Sequence, residues 1–381
     1  MSVERKKILV FADWFLPGFK AGGPIRSVAN LVAALPEFDF FIVTRNTDHH
    51  STHPYPDIET GKWNVHLPNV QVMYLEEKKI TRRAVDEIIG SQLFDWYYLN
   101  SLFSKRFTLL PLRLLRRRKL YDKIILAPRG MLHSGALGVK AGKKKIFLAL
   151  AKTLGWYNSI VWHATGETEQ DEIRAHFGKD VRIILAPNLA LSPLLKILGP
   201  KKISGEMRLI SVARISPEKG IKESLVFLKS AQLQGAITVN YFGTEQNASY
   251  LEECRVIAAG IEGCAISFHG EIHPTEIPSA LSSHHFFYSA TWGENFGHAI
   301  VDALAYGVPV LISDRTPWRK LEEKQAGWDL PLDREPFASQ LKKCLDMGNE
   351  KYHQFCSGAA TLGKEITNDE KSIEASRALF S

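Results

Sequence analysis

In Ser289–Asp314, SATWGENFGHAIVDALAYGVPVLISD, a polar turn runs into a helix and then into a buried strand. Glu294, Asn295, Phe296 and Gly297 form the turn, and Ile300, Val301, Leu304 and Ala305 recur at helical spacing behind it. Gly307 and Pro309 stop the helix, and Val308–Ile312 reads as a strand with both faces covered. A helix that starts directly after such a turn aims unpaired N–H groups and the positive end of its dipole at the loop, an arrangement that favours a phosphate. Glu294 stands at the mouth. Asp302 follows eight residues later, about 12 Å further along the axis at roughly 1.5 Å of rise per residue. Two carboxylates so spaced suit hydroxyl groups at opposite ends of a sugar nucleotide whose diphosphate lies between them.

GENFGHAIVDALAYGVPVL resembles the donor-site signature of the family-4 retaining glycosyltransferases, with Gly293, Gly297, Gly307 and Pro309 at matching positions. That signature carries two glutamates eight residues apart. Here the second is Asp302, one methylene shorter. The resemblance implies the GT-B fold, an α/β architecture of two Rossmann-like, doubly wound parallel-sheet domains facing a cleft. It also implies that Glu294 holds donor-sugar hydroxyls and Asp302 the ribose, with Asn295, Phe296 and Gly297 around the donor.

The composition fits that architecture. A chain of 381 residues suits two domains, and 45% hydrophobic with 23% charged residues is ordinary for a soluble globular protein. No run of eighteen apolar residues is present, and the N-terminus has a short apolar run without a small-residue cleavage site, which points to the cytoplasm. Cys254, Cys264, Cys344 and Cys356 show no metal-like or C-x-x-C spacing. The net charge of +7 asks for an acidic partner, such as a nucleotide-sugar, a lipid pyrophosphate, an anionic membrane or nucleic acid. No nucleic-acid motif accompanies it.

Along the first half, Lys7–Phe11 reads as a strand, and Gly22-Gly23-Pro24 then opens a helix, a second phosphate-sized niche. In the family a glycine loop here closes over the donor, so Gly22 and Gly23 inherit that role and Arg26 assists with phosphate. Phe40–Thr44, Val70–Leu75 and Asp95–Leu99 read as further strands, and Thr81–Ile89 as a helix. His49, His50 and His53 fall in a polar loop, where a solvated cluster outweighs a metal site. Residues 105–123 and 139–156 interleave leucines with arginines and lysines. As basic amphipathic helices they suit peripheral contact with an anionic membrane. The alternative is leucines turned to the core and solvated cations.

Between these segments IILAPRGMLH, residues 124–133, resembles a branch of the family with a PRGML motif. Arg129-Gly130 stands where members commonly carry a histidine-glycine pair. Arginine cannot act as a base, but it can hold a phosphate or an acceptor oxygen. Arg129 and His133 are therefore the acceptor-side candidates. Val161–Thr165 reads as the last strand of the first domain, 1–190, and Ser192–Glu206 as a linker.

The second domain, 206–367, opens with a strand at Leu209–Ala213, and Arg214 and Lys219 follow across a turn. Two cations at the carboxyl end of a first strand can reach one diphosphate from two sides, and the family uses an arginine and a lysine there. After Ile266–Phe268, the loop holding Gly270 corresponds to one that touches the nucleobase through its backbone. A terminal helix at 368–381 packs back on the first domain in such chains.

The resemblance implies a retaining glycosyltransferase acting on a nucleoside-diphosphate sugar, with Glu294, Arg214 and Lys219 as its catalytic set and no cofactor or divalent metal. The basic first domain suggests a lipid-linked or oligosaccharide acceptor in surface polysaccharide assembly. A sugar-nucleotide epimerase or a glucan synthase on the same fold, or a non-catalytic nucleotide-sugar-binding protein, are the alternatives.

Overall fold

A computed structural model describes residues 5–133, 141–191 and 199–381. Residues 192–198 of the expected linker, and Val139 and Lys140 of the second basic segment, lie outside the described residues. The chain divides into two compact units, Met1–Leu189 with Asp369–Ser381, and Ala190–Asn368.

The first unit is built on an eight-stranded sheet. Its strands are β1 (Lys7–Phe11), β2 (Asp39–Arg45), β3 (Trp63–Leu67), β4 (Val70–Leu75), β5 (Trp96–Leu99), β6 (Ile124–Leu126), β7 (Val161–Ala164) and β8 (Arg182–Leu185), in the order β3-β4-β2-β1-β5-β6-β7-β8. Alternation along β1 shows why both faces are covered. Ile8 and Val10 join one core with the Gly23–Ala34 helix, while Leu9 and Phe11 join the other. Two expectations are corrected here. β3 is antiparallel to β4, so the sheet is mixed at that edge, and β7 is followed by β8, paired parallel to it, as the last strand. Both additions are half-exposed edge strands.

The tail completes this unit. After the Glu370–Arg377 helix, Phe380 is fully buried against Phe38, Phe40 and Tyr98, and its carbonyl accepts hydrogen bonds from Trp96 Nε1 and Lys6 Nζ, both at 3.0 Å. Burying one such ring contributes about 1.5–3 kcal/mol.

The two basic amphipathic segments differ. Residues 105–109 form a π-helical turn that continues as the Leu110–Arg117 helix, and Leu112, Leu114 and Leu115 face the core. The expected apolar outer face is therefore absent from this segment, because its leucines fill the space beneath the sheet. The Ala141–Thr153 helix does keep apolar side chains outside. No helix among the described residues is long and apolar enough to cross a membrane.

The second unit holds a six-stranded, wholly parallel sheet of β9 (Glu206–Val212), β10 (Ala236–Phe242), β11 (Cys264–Phe268), β12 (Phe286–Ser289), β13 (Val310–Ser313) and β14 (Gly327–Leu330), ordered β11-β10-β9-β12-β13-β14. On one face the His298–Ala305 helix is crossed by the Asn349–Thr367 helix at very short range. A Cβ added to Gly363 would sit 2.4 Å from the Cα and N of Ala305. Gly363→Ala should thus destabilise the protein by about 1–3 kcal/mol, although alanine is normally the better helix former. A lower urea midpoint is expected; a raised one would show that the two backbones are not in contact.

Candidate functional site

In the second unit the chain runs from β9 to β10 and β11 on one side and returns to β12 on the other. Loops leaving β9 and β12 therefore diverge and open a crevice at the carboxyl ends, the place where sheets of this kind bind ligands. The sequence-derived candidates lie on the two lips. Lys219, after β9, donates from Nζ to Glu294 Oε1, after β12, at 2.6 Å, and the two side chains are only 17% and 19% exposed.

Backbone contacts fix the pair. Trp292 N and Thr291 Oγ1 donate to the Glu218 carbonyl at 3.0 and 3.1 Å, and Glu294 N donates to the Arg315 carbonyl at 3.0 Å. Gly220 has φ 65°, and a Cβ there would lie 1.8 Å from the Ala290 carbonyl oxygen, so only glycine lets the loops meet. Arg214 Nη2 lies 3.5 Å from Glu218 Oε1 and is 37% exposed, a longer and wetter pair than that of Lys219.

Gly297, at φ 76° and ψ 63°, turns the chain into the His298–Ala305 helix, and its carbonyl accepts from Ile300 N and Val301 N. Helical rise covers only the four steps from His298 to Asp302, about 6 Å. The 12 Å expectation is corrected accordingly, because the first half of the interval is loop. Asp302 is half-buried on this helix and Asn295 is exposed. Phe296 is buried, with its ring centroid 5.3 Å from that of Trp318 and 4.8 Å from that of His298, so its side chain serves the packing. The Gly270 carbonyl accepts from Gly243 N at 2.6 Å, tying the loops after β10 and β11, and His269 stacks on Phe242 beside it.

The first unit repeats the geometry with other chemistry. Its strand order reverses between β1 and β5. Gly22, at φ 69°, precedes the helix carrying Gly23 and the half-buried Arg26, and Asp48 Oδ2 pins the loop by accepting from Phe19 N and Lys20 N. Asn100, directly after β5, donates through Nδ2 to the Pro24 carbonyl at 3.3 Å and accepts at Oδ1 from Arg129 Nε at 2.7 Å. Arg129 also donates from Nη1 to Asn188 Oδ1 at 2.5 Å and from Nη2 to Tyr98 OH at 2.7 Å. No carboxylate pairs with it among the described residues.

The Tyr98 hydroxyl meets His163 Nδ1 at 2.7 Å, and His163 Nε2 meets the Ala186 carbonyl at 2.8 Å. A carbonyl only accepts, so Nε2 carries the proton and Tyr98 donates to Nδ1. Burial, reinforced by the Arg129 charge, pushes His163 down to about 3, and burial pushes Tyr98 up to about 12. His133 is held apart from this chain of bonds, its Nδ1 2.7 Å from Glu172 Oε1. Glu169 accepts from Gly130 N at 2.6 Å and from both N and Oγ1 of Thr165. Tyr98, Asn100, Asn188, His163, Glu169 and Asp48 were not among the sequence candidates. The signal for Asn100 is a lone amide just beyond a buried strand; Asn188 follows a half-exposed one and carries no such signal.

Comparison with known proteins fits this arrangement. Sucrose-phosphate synthase of Thermosynechococcus elongatus is 17% identical with a TM-score of 0.69, over 99% of this chain and 98% of that one. HepE of Anabaena, solved with UDP and glucose, is 16% identical with a TM-score of 0.70, over 97% and 98%. An α,α-trehalose-phosphate synthase of Burkholderia xenovorans is 10% identical with a TM-score of 0.69, over 99% and 100%. The fold is GT-B. At these identities the likeness is one of fold. Residues 199–357, which hold the Lys219–Glu294 pair, match the family of glycosyl transferases group 1. A search of curated proteins finds no match.

The buried, neutral His163 predicts a pH dependence. Its folded value lies below the 6.5 of the free group, so the unfolded chain binds the extra proton between the two values. Its contribution to stability is complete above pH 6.5 and is lost as pH falls toward 3, by at most about 1.4 kcal/mol per pH unit. Urea unfolding of His163→Gln should show a shallower acid-side slope than wild type; equal slopes would mean that residue 163 is not held neutral.

Proposed function

We propose that the chain is a retaining glycosyltransferase that moves a sugar from a nucleoside diphosphate to an acceptor hydroxyl without a divalent metal. The observation that carries the proposal is the Lys219–Glu294 pair, poised across the strand-order reversal within the segment that matches glycosyl transferases group 1. Lys219 and Arg214 meet the diphosphate, and the first turn after Gly297 adds backbone N–H groups and its dipole. As the bond from C1 to the phosphate oxygen breaks, negative charge gathers on the leaving diphosphate, where those fixed positive groups stabilise it. The acceptor oxygen attacks C1 on the same face and passes its proton to the departing phosphate oxygen, which retains the anomeric configuration.

Glu294 receives the donor-sugar hydroxyls and Asp302 the ribose. Asn295 and the backbone of Phe296, Gly297 and Gly270 line the donor. Arg129 and His133 belong to the acceptor side, where Arg129 offers a charge that has only neutral partners among the described residues. Because HepE was solved with UDP and glucose, UDP-sugars are the first donors to try. A net charge of +7 supports a lipid-linked acceptor and work at the cytoplasmic face of a membrane.

Release of nucleoside diphosphate from a panel of nucleotide-sugars, with EDTA present and with or without a lipid-extract acceptor, tests the reading. Acceptor-dependent release from one donor is expected, reduced at least about 100-fold in Glu294→Ala and Lys219→Ala. A protein that binds no nucleotide-sugar sinks it. Asp302→Glu restores the longer arm and should bind the donor at least as tightly as wild type by calorimetry; a loss of tenfold or more, about 1.4 kcal/mol, would remove the ribose role.

A further inference from the structure

The Ala141–Thr153 helix presents a feature that sugar transfer does not require. Ile146, Leu150 and Leu154 are exposed by 64%, 52% and 59%. They follow one another at intervals of four, and Leu154 N bonds to the Leu150 carbonyl at 2.9 Å, so the turn continues through Leu154 and the three form one stripe. The other side of the same helix is anchored. Leu148 and Ala151 are buried, Phe147 packs edge-on against Phe103 and Trp156, and Lys144 Nζ lies 5.4 Å over the Phe103 ring. The stripe is thus an outer face of a helix that is already docked.

Cations surround it. Lys143, Lys145 and Lys152 are exposed on the same helix. Arg116 Nη1 donates to the Asn158 carbonyl at 2.8 Å, which joins the Leu110–Arg117 helix to the turn just beyond Leu154. Arg113 and Arg117 of that helix, four residues apart, are both exposed.

An apolar stripe ringed by lysine and arginine asks for a partner with a hydrocarbon phase under a layer of negative charge. A second copy of the chain would bring the same cations face to face, and a nucleic acid offers nothing for three aliphatic side chains. We propose that this face docks on an anionic lipid bilayer, with Ile146, Leu150 and Leu154 entering the acyl boundary and the lysines and arginines lying among the phosphates. The inference gives the membrane contact proposed above its residues and rests on that part of the reading alone. The Leu110–Arg117 helix contributes charge only.

Co-sedimentation of the full chain with vesicles tests it. Binding is expected to phosphatidylcholine vesicles containing about one third phosphatidylglycerol, to weaken with salt, and to be absent from pure phosphatidylcholine. Combined Ile146→Ser, Leu150→Ser and Leu154→Ser should lower the bound fraction about tenfold or more with an unchanged melting curve, and Lys143→Glu with Lys145→Glu and Lys152→Glu should do the same. Wild type that stays in the supernatant with anionic vesicles, or a triple-serine variant that binds as wild type, overturns the proposal. So does a dimer in light scattering that the serine variant dissolves, since the stripe would then belong to a second copy. The readout uses no nucleotide-sugar, so inactive protein that sediments leaves the docking standing, and active protein that does not sediment removes the docking alone.

Discussion

A lysine and a glutamate 2.6 Å apart, on loops that leave neighbouring strands in opposite directions, are the point on which the second unit depends. Removing either would leave a partly buried charge without its partner, which costs more than the pair itself contributes. The pair also sets the electrostatics of the crevice. Lys219 is matched to Glu294 and Arg214 to Glu218, so each of these two cations already has a carboxylate partner. The first unit takes the other course. Arg129 is held by two amides and a phenol, and no carboxylate pairs with it among the described residues.

That difference bears on selectivity. A lysine already satisfied by a carboxylate responds to a ligand bringing two or more charges. The Arg129 guanidinium is oriented by neutral acceptors, and Tyr98 is itself fixed by His163, and His163 by a backbone carbonyl. The direction of each hydrogen bond in that series follows from the last acceptor, which has no proton to give.

The buried strands were readable in the sequence because they are short, nearly continuous apolar runs such as KILVF and FFIVT, and the motif Glu294–Asp302 fell where the sheet order reverses. The edges were not. WNVHL of β3 and GWDL of β14 carry polar residues along half-exposed or very short strands and lack a clear period. Nor could the leucine-rich segment 105–123 declare which way it faced, since a core helix and a surface helix with equal leucine and arginine content look alike until neighbours are present. The Arg129 cluster was hidden for a different reason. Tyr98, Asn100, Asn188 and His163 are brought together from separate strands and loops by the sheet alone, and no spacing along the chain encodes the meeting.

Phe380 sits at the centre of one core of the first unit, between Phe38, Phe40 and Tyr98. During synthesis the ribosome therefore delivers most of the first unit early and its last core piece only after the whole of the second unit has emerged. The second unit, continuous in sequence, can close on its own while the first waits with an unfilled aromatic socket. The half made first is finished last, and a chaperone that shields apolar surface on nascent chains would have its longest engagement there.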